Sequence, residues 1–338
     1  MCNVGQKPKG FALVLVLWVL SLLTLMAGSF ALSMRREVSA TAYLKNTAQA
    51  TALAESGIAV AEYMMMSAGQ NNANAQQDRN WRTDGSVYQI IAGNARVRVR
   101  LLSETGKINI NLAEQGLLRA LLQRAPVPAN AGKDPQRVTK LVDAILDWRD
   151  TNANVRPNGA EEHEYLAGLK YKPRNNSFRT IEELQRVSGM DAATFTWLVP
   201  LITVYSTVPQ VDKTASGDVL KLLPDLPPDV LTQFLEARLA SARSGKPITV
   251  PMASKYINVA EPDASQSSAV NIIAEAHLED GSSAMLSAVV IKSELDPVTP
   301  FQIVRWQHNY ANEVSLFSTT MNELLVAQCI ASPRDITC

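Results

Sequence analysis

The run from Phe11 to Met34 reads FALVLVLWVLSLLTLMAGSFALSM and holds no Asp, Glu, Lys or Arg. A helix needs about 20 apolar residues to cross a bilayer, so this run is long enough. A polar leader, MCNVGQKPKG, precedes it, with Lys7 and Lys9 close to the apolar edge. A secretory signal usually has an apolar core of roughly 7–15 residues, and this core is longer. A plain single-pass anchor is the simplest alternative. The helical pattern also continues past the run. Arg35 and Arg36 follow it, then an Ala-rich stretch without Pro to about Ala68. Val38, Ala42, Leu53, Gly57, Val60, Ala61 and Met64 recur at the spacing of one helix face. One helix from Phe11 to about Ser67 is therefore expected, roughly 85 Å long at the usual rise. Its inner part would lie in lipid and its outer part would pack on a domain.

Residues 69–84 are rich in Asn, Gln and Ala and read as a loop. From Val87 to Leu102 the pattern alternates, with Tyr88, Ile90, Ala95, Val97, Val99 and Leu101 apolar. That period of two predicts a strand pair turning at Gly93-Asn94. Arg96, Arg98 and Arg100 fall on the opposite face, which reads as solvated. Helical patterns follow over Glu114–Gln123 and Pro135–Trp148, then a polar, turn-rich stretch, then two helices about a Ser188-Gly189 turn within 178–201. Asp191 is placed as the N-cap of the second. An internal echo is present: 109–122 resembles 211–224, and LVDAILDWR at Leu141 resembles VLTQFLEAR at Val230. Two related helical units, about 109–205 and 206–260, are expected, with 246–262 as an extended return. Val270–Leu278, Met285–Lys292 and Phe301–His308 read as strands, the first two joined at Asp280-Gly281. The order of helix, strands, helical block and strands makes this an α+β chain with the block inserted.

Gly10-Phe11 before a long apolar helix resembles the processing site of type IV prepilins. Most members of that group carry Glu as the fifth residue after the cut, and here Leu15 stands there. A carboxylate in a bilayer costs about 2.5–3.5 kcal/mol on insertion scales unless paired. In the group its partner is the amine of a subunit already in the fibre, so a subunit without it fits the first position, the tip. With ININLA, ILDWRD, RPNGAEEHEY and FRTIEELQRVSGM, nearly the whole chain resembles the K-type minor pseudopilins of type II secretion systems, general secretion pathway protein K.

The resemblance implies a pilin-like fold: a long N-terminal helix on an antiparallel sheet, with a large all-helical insertion of helix-hairpin-helix or SAM-like type. It divides the chain into a leader (1–10), a transmembrane part (11–34), a first pilin-like part (35–108), the insertion (109–260) and a second pilin-like part with a C-terminal tail (261–338). It implies cleavage after Gly10 by prepilin peptidase, N-terminal methylation at Phe11, and a single-pass protein of the inner membrane with its bulk in the periplasm. The implied role is to start and cap the pseudopilus that exports folded proteins across the outer membrane. The implied partners are the I- and J-type minor pseudopilins, then the H-type and the major G-type subunits.

The chain has three cysteines. Cys2 would leave with the leader. Cys329 and Cys338 are then either a bridge or two free thiols, and an oxidising periplasm favours the bridge. The acidic cluster is the one candidate ion site: Asp147 and Asp150 share a helix face, and Glu161, Glu162 and Glu164 follow the Asn158-Gly159 turn. Hard oxygens around a loop suit calcium, or else form an N-cap and a solvated acidic face. Family members bind calcium in the helical insertion, so the resemblance implies calcium, with Asp147, Asp150, Glu161 and Glu162 as candidate ligands.

The helices at 181–198 also resemble a helix-hairpin-helix unit, which would make a membrane-tethered DNA-binding protein of competence type the alternative. Asp191 stands where such a unit needs a second Gly, and formal net charge is zero, so no nucleic-acid partner is expected. His163, His277 and His308 have no nucleophile partner in any recognisable motif, and no enzyme signature is present.

Overall fold

The computed structural model describes residues 11–68, 81–127, 134–168, 170–244, 248, 252–258, 269–292, 300–308, 314–331 and 336–337. The leader with Gly10, the loop reading at 69–80 and Cys338 lie outside the described residues.

Helix α1 spans Phe11–Ala68 without interruption, as the absence of Pro and the run of good helix formers dictate. Among the described residues it is the one helix long and apolar enough to cross a membrane. Its two halves differ sharply. The apolar run is bare of protein contact, with Leu13, Trp18, Leu25 and Phe30 all more than 65% exposed. From Ala50 onward Ala54, Ile58, Ala61 and Met64 are buried, a spacing of three and four that puts them on one face. Val38, expected on that face, is 63% exposed because the packed domain begins only further along the helix.

The other elements, in chain order, are β1 (Asp84–Ala92), β2 (Ala95–Ser103), β3 (Ile108–Asn109), α2 (Gln115–Leu122), α3 (Arg137–Arg149), α4 (Glu162–Gly168), α5 (Ala192–Leu198), β4 (Ile202–Thr203), β5 (Val211–Asp212), α6 (Gly217–Leu220), α7 (Pro228–Ser244), β6 (Ile257–Asn258), β7 (Ala269–His277), β8 (Ser283–Lys292), β9 (Phe301–His308), α8 (Thr319–Glu323), β10 (Leu325–Ala331) and β11 (Ile336–Thr337). Among the described residues, 3-10 turns sit at Glu104–Gly106 and Ile181–Arg186. The first of the two helices expected within 178–201 is thus a 3-10 turn.

The main sheet runs β11-β10-β1-β2-β7-β8-β9. It is antiparallel except where β10 lies parallel to β1. Its hairpins turn at Gly93, with φ +59°, and Gly281, with φ +86°, backbone that glycine adopts without a Cβ penalty. Helix α1 crosses β2, β7 and β8. There Ile58 and Met64 join Val97, Val99, Leu101, Ile272 and Leu286 in one apolar core.

Strands β2 and β7 are neighbours, paired from Arg96–His277 to Ser103–Val270. Everything between them in sequence therefore leaves and re-enters the sheet at one place. The intervening block has its own core, built on Leu118, Leu121, Leu141, Ile145, Trp148, Tyr165, Leu184, Leu198 and Phe234.

The echo within the block has a structural counterpart. Strand β3 pairs in parallel with β4, and β5 pairs in parallel with β6. In the first unit Arg149 donates to the carbonyls of Ile110 and Ala113. In the second Arg238 donates to those of Lys213 and Ala215. Arg149 at the end of α3 and Arg238 within α7 each tie an echoed helix to the turn that opens its own unit.

The C-terminal region is more than a tail. Residues 314–323 fold over the sheet face opposite α1 and lead into β10. Arg98, read as solvated, is 7% exposed beneath them. It donates to Gln89, to the Leu316 carbonyl at 2.8 Å and to Asn322 at 2.6 Å, and lies 4.5 Å from the Phe317 ring centre.

Candidate functional site

The acidic loop hangs between the end of α3 and the start of α4. Asp143 and Asp147 are four apart on the buried face of α3, and Asp147 is completely buried. Arg156 returns from the loop and bridges Asp147 at 2.5 Å and Asp150 at 2.6 Å. The Asp147 carboxylate lies so close to the next turn that a Cβ on Gly159 would sit 1.9 Å from its Oδ2. That contact explains the glycine in RPNG. Burial pushes the Asp147 carboxyl up from its ordinary value, against the lowering pull of Arg156.

Glu161 is 5% exposed. Burial raises its carboxyl, and the charges of Asp147, Asp150 and Glu164 push the same way. Its Oε2 accepts from Asn175 Nδ2 at 3.1 Å, while Glu161 Oε1 and Asn175 Oδ1 are both buried without a hydrogen-bond partner. Two such acceptors beside acidic charge are costly unless a donor, a proton or a cation reaches them. Glu162 is not brought to this place. It is exposed and pairs with Lys172 at 2.6 Å. Glu164 instead closes the first turn of α4 by accepting from the Glu161 amide at 2.9 Å, and His163 points to solvent.

The structure thus joins Asp147 and Asp150 through Arg156, sets Glu161 within reach of their charge, and leaves Glu162 aside. Among the described residues no three His, Cys, Asp or Glu side chains are grouped as a ready metal site, and a guanidinium sits between the two aspartates. The donor set of carboxylates and an amide oxygen fits a hard cation such as calcium in chemistry. Sequence reasoning passed over Asp143, Arg156 and Asn175, and read Gly159 only as part of a turn. The four-residue spacing of Asp143 and Asp147 was a signal that could have found the first.

At the helix-hairpin-helix resemblance, Gly189 has φ +81° and Asp191 caps α5, accepting from the Thr194 amide at 2.9 Å. Its other oxygen accepts from Arg137 at 2.7 Å. Its carboxyl is held below the ordinary range by the Thr194 and Arg137 hydrogen bonds, which outweigh burial. A paired, ionised carboxylate stands where phosphate would have to approach.

Leu15 is 52% exposed on the bare half of α1, and Phe11 begins that helix. Cys329 is fully buried in β10 opposite Ile90 and is disulfide-bonded.

Comparison with known proteins bears on the block and the surrounding sheet. A family model described as "Type II secretion system (T2SS), protein K" matches residues 95–207. A type II secretion system protein K of Klebsiella pneumoniae is 26% identical over 259 residues, covering 71% of this chain and 78% of that protein. One from Dickeya chrysanthemi is 34% identical over 104 residues, covering 31% of this chain and 27% of that protein. A chain of the GspK-GspI-GspJ complex from the enterotoxigenic Escherichia coli type 2 secretion system aligns with a TM-score of 0.49 at 17% identity, over 79% of this chain and 98% of that one.

Proposed function

The chain belongs to the type II secretion system protein K family, and from that premise we propose that it is a minor pseudopilin that starts and caps the pseudopilus. The observation that carries the reading is the division of α1. Its apolar half is bare along its whole length and has a leucine at position 15, whereas its second half is fused to the sheet core. A bare apolar helix is stable only in lipid or against other such helices.

In this reading the chain is anchored in the inner membrane with its domain in the periplasm. Prepilin peptidase cuts after Gly10 and frees the amine of Phe11, which is then methylated. Without an acid at position 15 the helix has no charge that must find the amine of an earlier subunit. It therefore begins the bundle rather than joining it midway. The I- and J-type minor pseudopilins assemble against it, with H- and G-type subunits below, and the filament drives folded proteins through the outer membrane. The role is assembly rather than catalysis. The block inserted between β2 and β7 supplies bulk above the sheet, as a cap requires.

Calcium belongs to the same proposal. Asp147, Asp150, Glu161 and Asn175 would hold it, with Arg156 released from the two aspartates. The ion would neutralise carboxylates whose burial is otherwise costly and would lock the loop.

Intact-mass analysis of the membrane-extracted protein tests processing: the mature chain should begin at a methylated Phe11, and Gly10→Val should retain the leader. Labelling of isolated filaments tests position. Wild-type protein should mark one end, and Leu15→Glu should appear along the shaft. Wild-type label along the shaft would overturn the tip assignment.

A further inference from the structure

The sheet face that carries α1 is unevenly covered. Helix α1 rests mainly on β7 and β8 and less on β2. On one side of it the face is filled: Tyr88 and Ile90 of β1 and Cys329 of β10 are buried, and Trp81 stacks on Tyr88 with ring centres 4.5 Å apart. On the other side lies β9, the outermost strand, and there the face is open. Ile303 is 49% exposed, and Phe301 and Trp306 are half-buried.

These three side chains share the α1 face. Ile303 stands directly opposite Val290 and Trp306 opposite Ala288. Both partners belong to the core beneath α1, and directly opposed residues on neighbouring strands point to one face. Phe301 packs against the same core. Plain alternation from Phe301 and Ile303 would put Arg305 on this face and Trp306 on the other. The register instead slips between Ile303 and Arg305, leaving Val304 as an extra residue. This bulge re-aims the side chains beyond it. It turns the indole toward α1 and sends Arg305 to the opposite face, where Arg305 pairs with Glu182 of the inserted block at 2.7 Å. The result is a shelf, with α1 as its wall and Phe301, Ile303 and Trp306 as its floor.

The dimensions of the shelf select its occupant. Packed helices lie about 8–10 Å apart, which is two strand spacings of about 4.8 Å. A second helix laid against α1 on its open side therefore comes down over β9. An added strand would lie beside β9 in the plane of the sheet and leave the floor uncovered. The bare half of α1 requires companion helices in the membrane, and a companion that runs on alongside α1 reaches the shelf. We propose that this shelf seats the long helix of a neighbouring pseudopilin, its apolar stripe on Phe301, Ile303 and Trp306. The inference rests on the filament reading and adds a direction to it: the neighbour packs on the β9 flank of α1, not on the β1 flank.

The test is photocrosslinking of the full chain in cells that carry the whole secretion system. Benzoylphenylalanine replaces Ile303 or, as a closer match in shape, Phe301. Leu22 on the bare half of α1 and Ile330, exposed on the opposite face of the sheet, are the control positions. Illumination should join Ile303 and Phe301 to the long helix of a different pseudopilin, located by mass spectrometry of the adduct, at a yield at least fivefold above that from Ile330. An adduct from Leu22 with none above the Ile330 level from Ile303 and Phe301 would overturn the shelf and leave the filament reading standing. Adducts from the shelf to another part of this chain, to a second copy of it, or to a strand of the neighbour would also overturn it. No adduct from any position, Leu22 included, would remove the filament reading and the shelf together.

Discussion

Gly57 of α1 lies directly against Val97 of β2, so close that a Cβ on Gly57 would sit 2.8 Å from Val97 Cγ1. Val99 Cγ2 at 3.2 Å and the Ala274 Cβ at 3.3 Å close the other sides. Here the long helix touches the sheet, and the missing side chain sets how near it can come. Helix propensity favours Ala over Gly by about 1 kcal/mol, so a purely local view expects Gly57→Ala to stabilise. The packing argues the reverse, since forcing a group into a filled core costs about 1–3 kcal/mol. Gly57→Ala should lower stability in urea unfolding, and Gly57→Val should lower it further. A gain in stability on Gly57→Ala would show that the interface yields.

Arg149 and Arg238 carry a second expectation. Each arginine is half-buried and donates to two main-chain carbonyls at the opening turn of its unit. Burial lowers the pKa of both, that of Arg149 to about 10. Lysine keeps the charge but lacks the planar fork that reaches two carbonyls at once. Hydrogen bonds to charged groups contribute about 1.5–3 kcal/mol, so Arg149→Lys and Arg238→Lys should each cost about that much. If only one of the two variants loses stability on denaturant unfolding, the arginines are not equivalent clamps of a repeated unit.

The contrast between Gly57 and Arg98 shows what could be read before the fold was known. The period of α1, the hairpin at Gly93-Asn94, the three strands beyond Val270 and the cap at Asp191 all follow from local pattern, and each stands in the structure. Arg98 also sat in a clear alternation, and that alternation correctly put it on the face opposite α1. What covers that face is the segment at 314–323, more than two hundred residues away. No local period announces such a cover. Strand β10 was missed for the same reason, since its partner β1 lies far off in sequence. Helix α4 was hidden differently. Its acidic, polar residues face solvent, and Tyr165 is its one buried residue, too little to mark a helical stripe. In the acidic loop the carboxylates were visible as a cluster, but not that Arg156 would bridge two of them or that Lys172 would draw Glu162 away.

Glu275 anchors the cover over Arg98. It accepts from the Leu316 amide at 2.5 Å, from the Ser315 hydroxyl at 2.9 Å and from His277 Nε2 at 2.8 Å. His277 in turn stacks on Phe317 with ring centres 3.9 Å apart. Glu275→Gln keeps the shape and removes the charge that these donors share. A charged acceptor is worth roughly twice a neutral one, so the cover should open more often. Hydrogen exchange at Leu316 and Phe317 should quicken at least tenfold, while amides in β7 and β8 keep their protection. Unchanged exchange at Leu316 would mean that apolar packing alone holds the segment.

The acidic loop makes a prediction whose sign can be worked out. Burial raises the carboxyls of both Asp147 and Glu161 in the folded chain. A folded pKa above the unfolded one means that the native state holds its proton more tightly. The resulting stabilisation is full below the unfolded value, about 4 for a carboxyl, and is lost as pH rises through the raised folded values. In EDTA, then, the contribution of this loop should fall as pH rises from about 4 toward neutrality. Calcium needs the ionised carboxylates, so binding should reverse the trend and restore at neutral pH what ionisation removed. The calcium-dependent gain in Tm should be largest near pH 7 and vanish near pH 4. Asp147→Asn should reduce that gain and also flatten the EDTA profile, because the group that titrates and the group that binds are the same. Glu162→Gln should leave both nearly unchanged, since its carboxylate pairs with Lys172 in solvent. A calcium gain that survives in Asp147→Asn but is lost in Glu162→Gln would move the ion out of the buried corner and onto the loop surface.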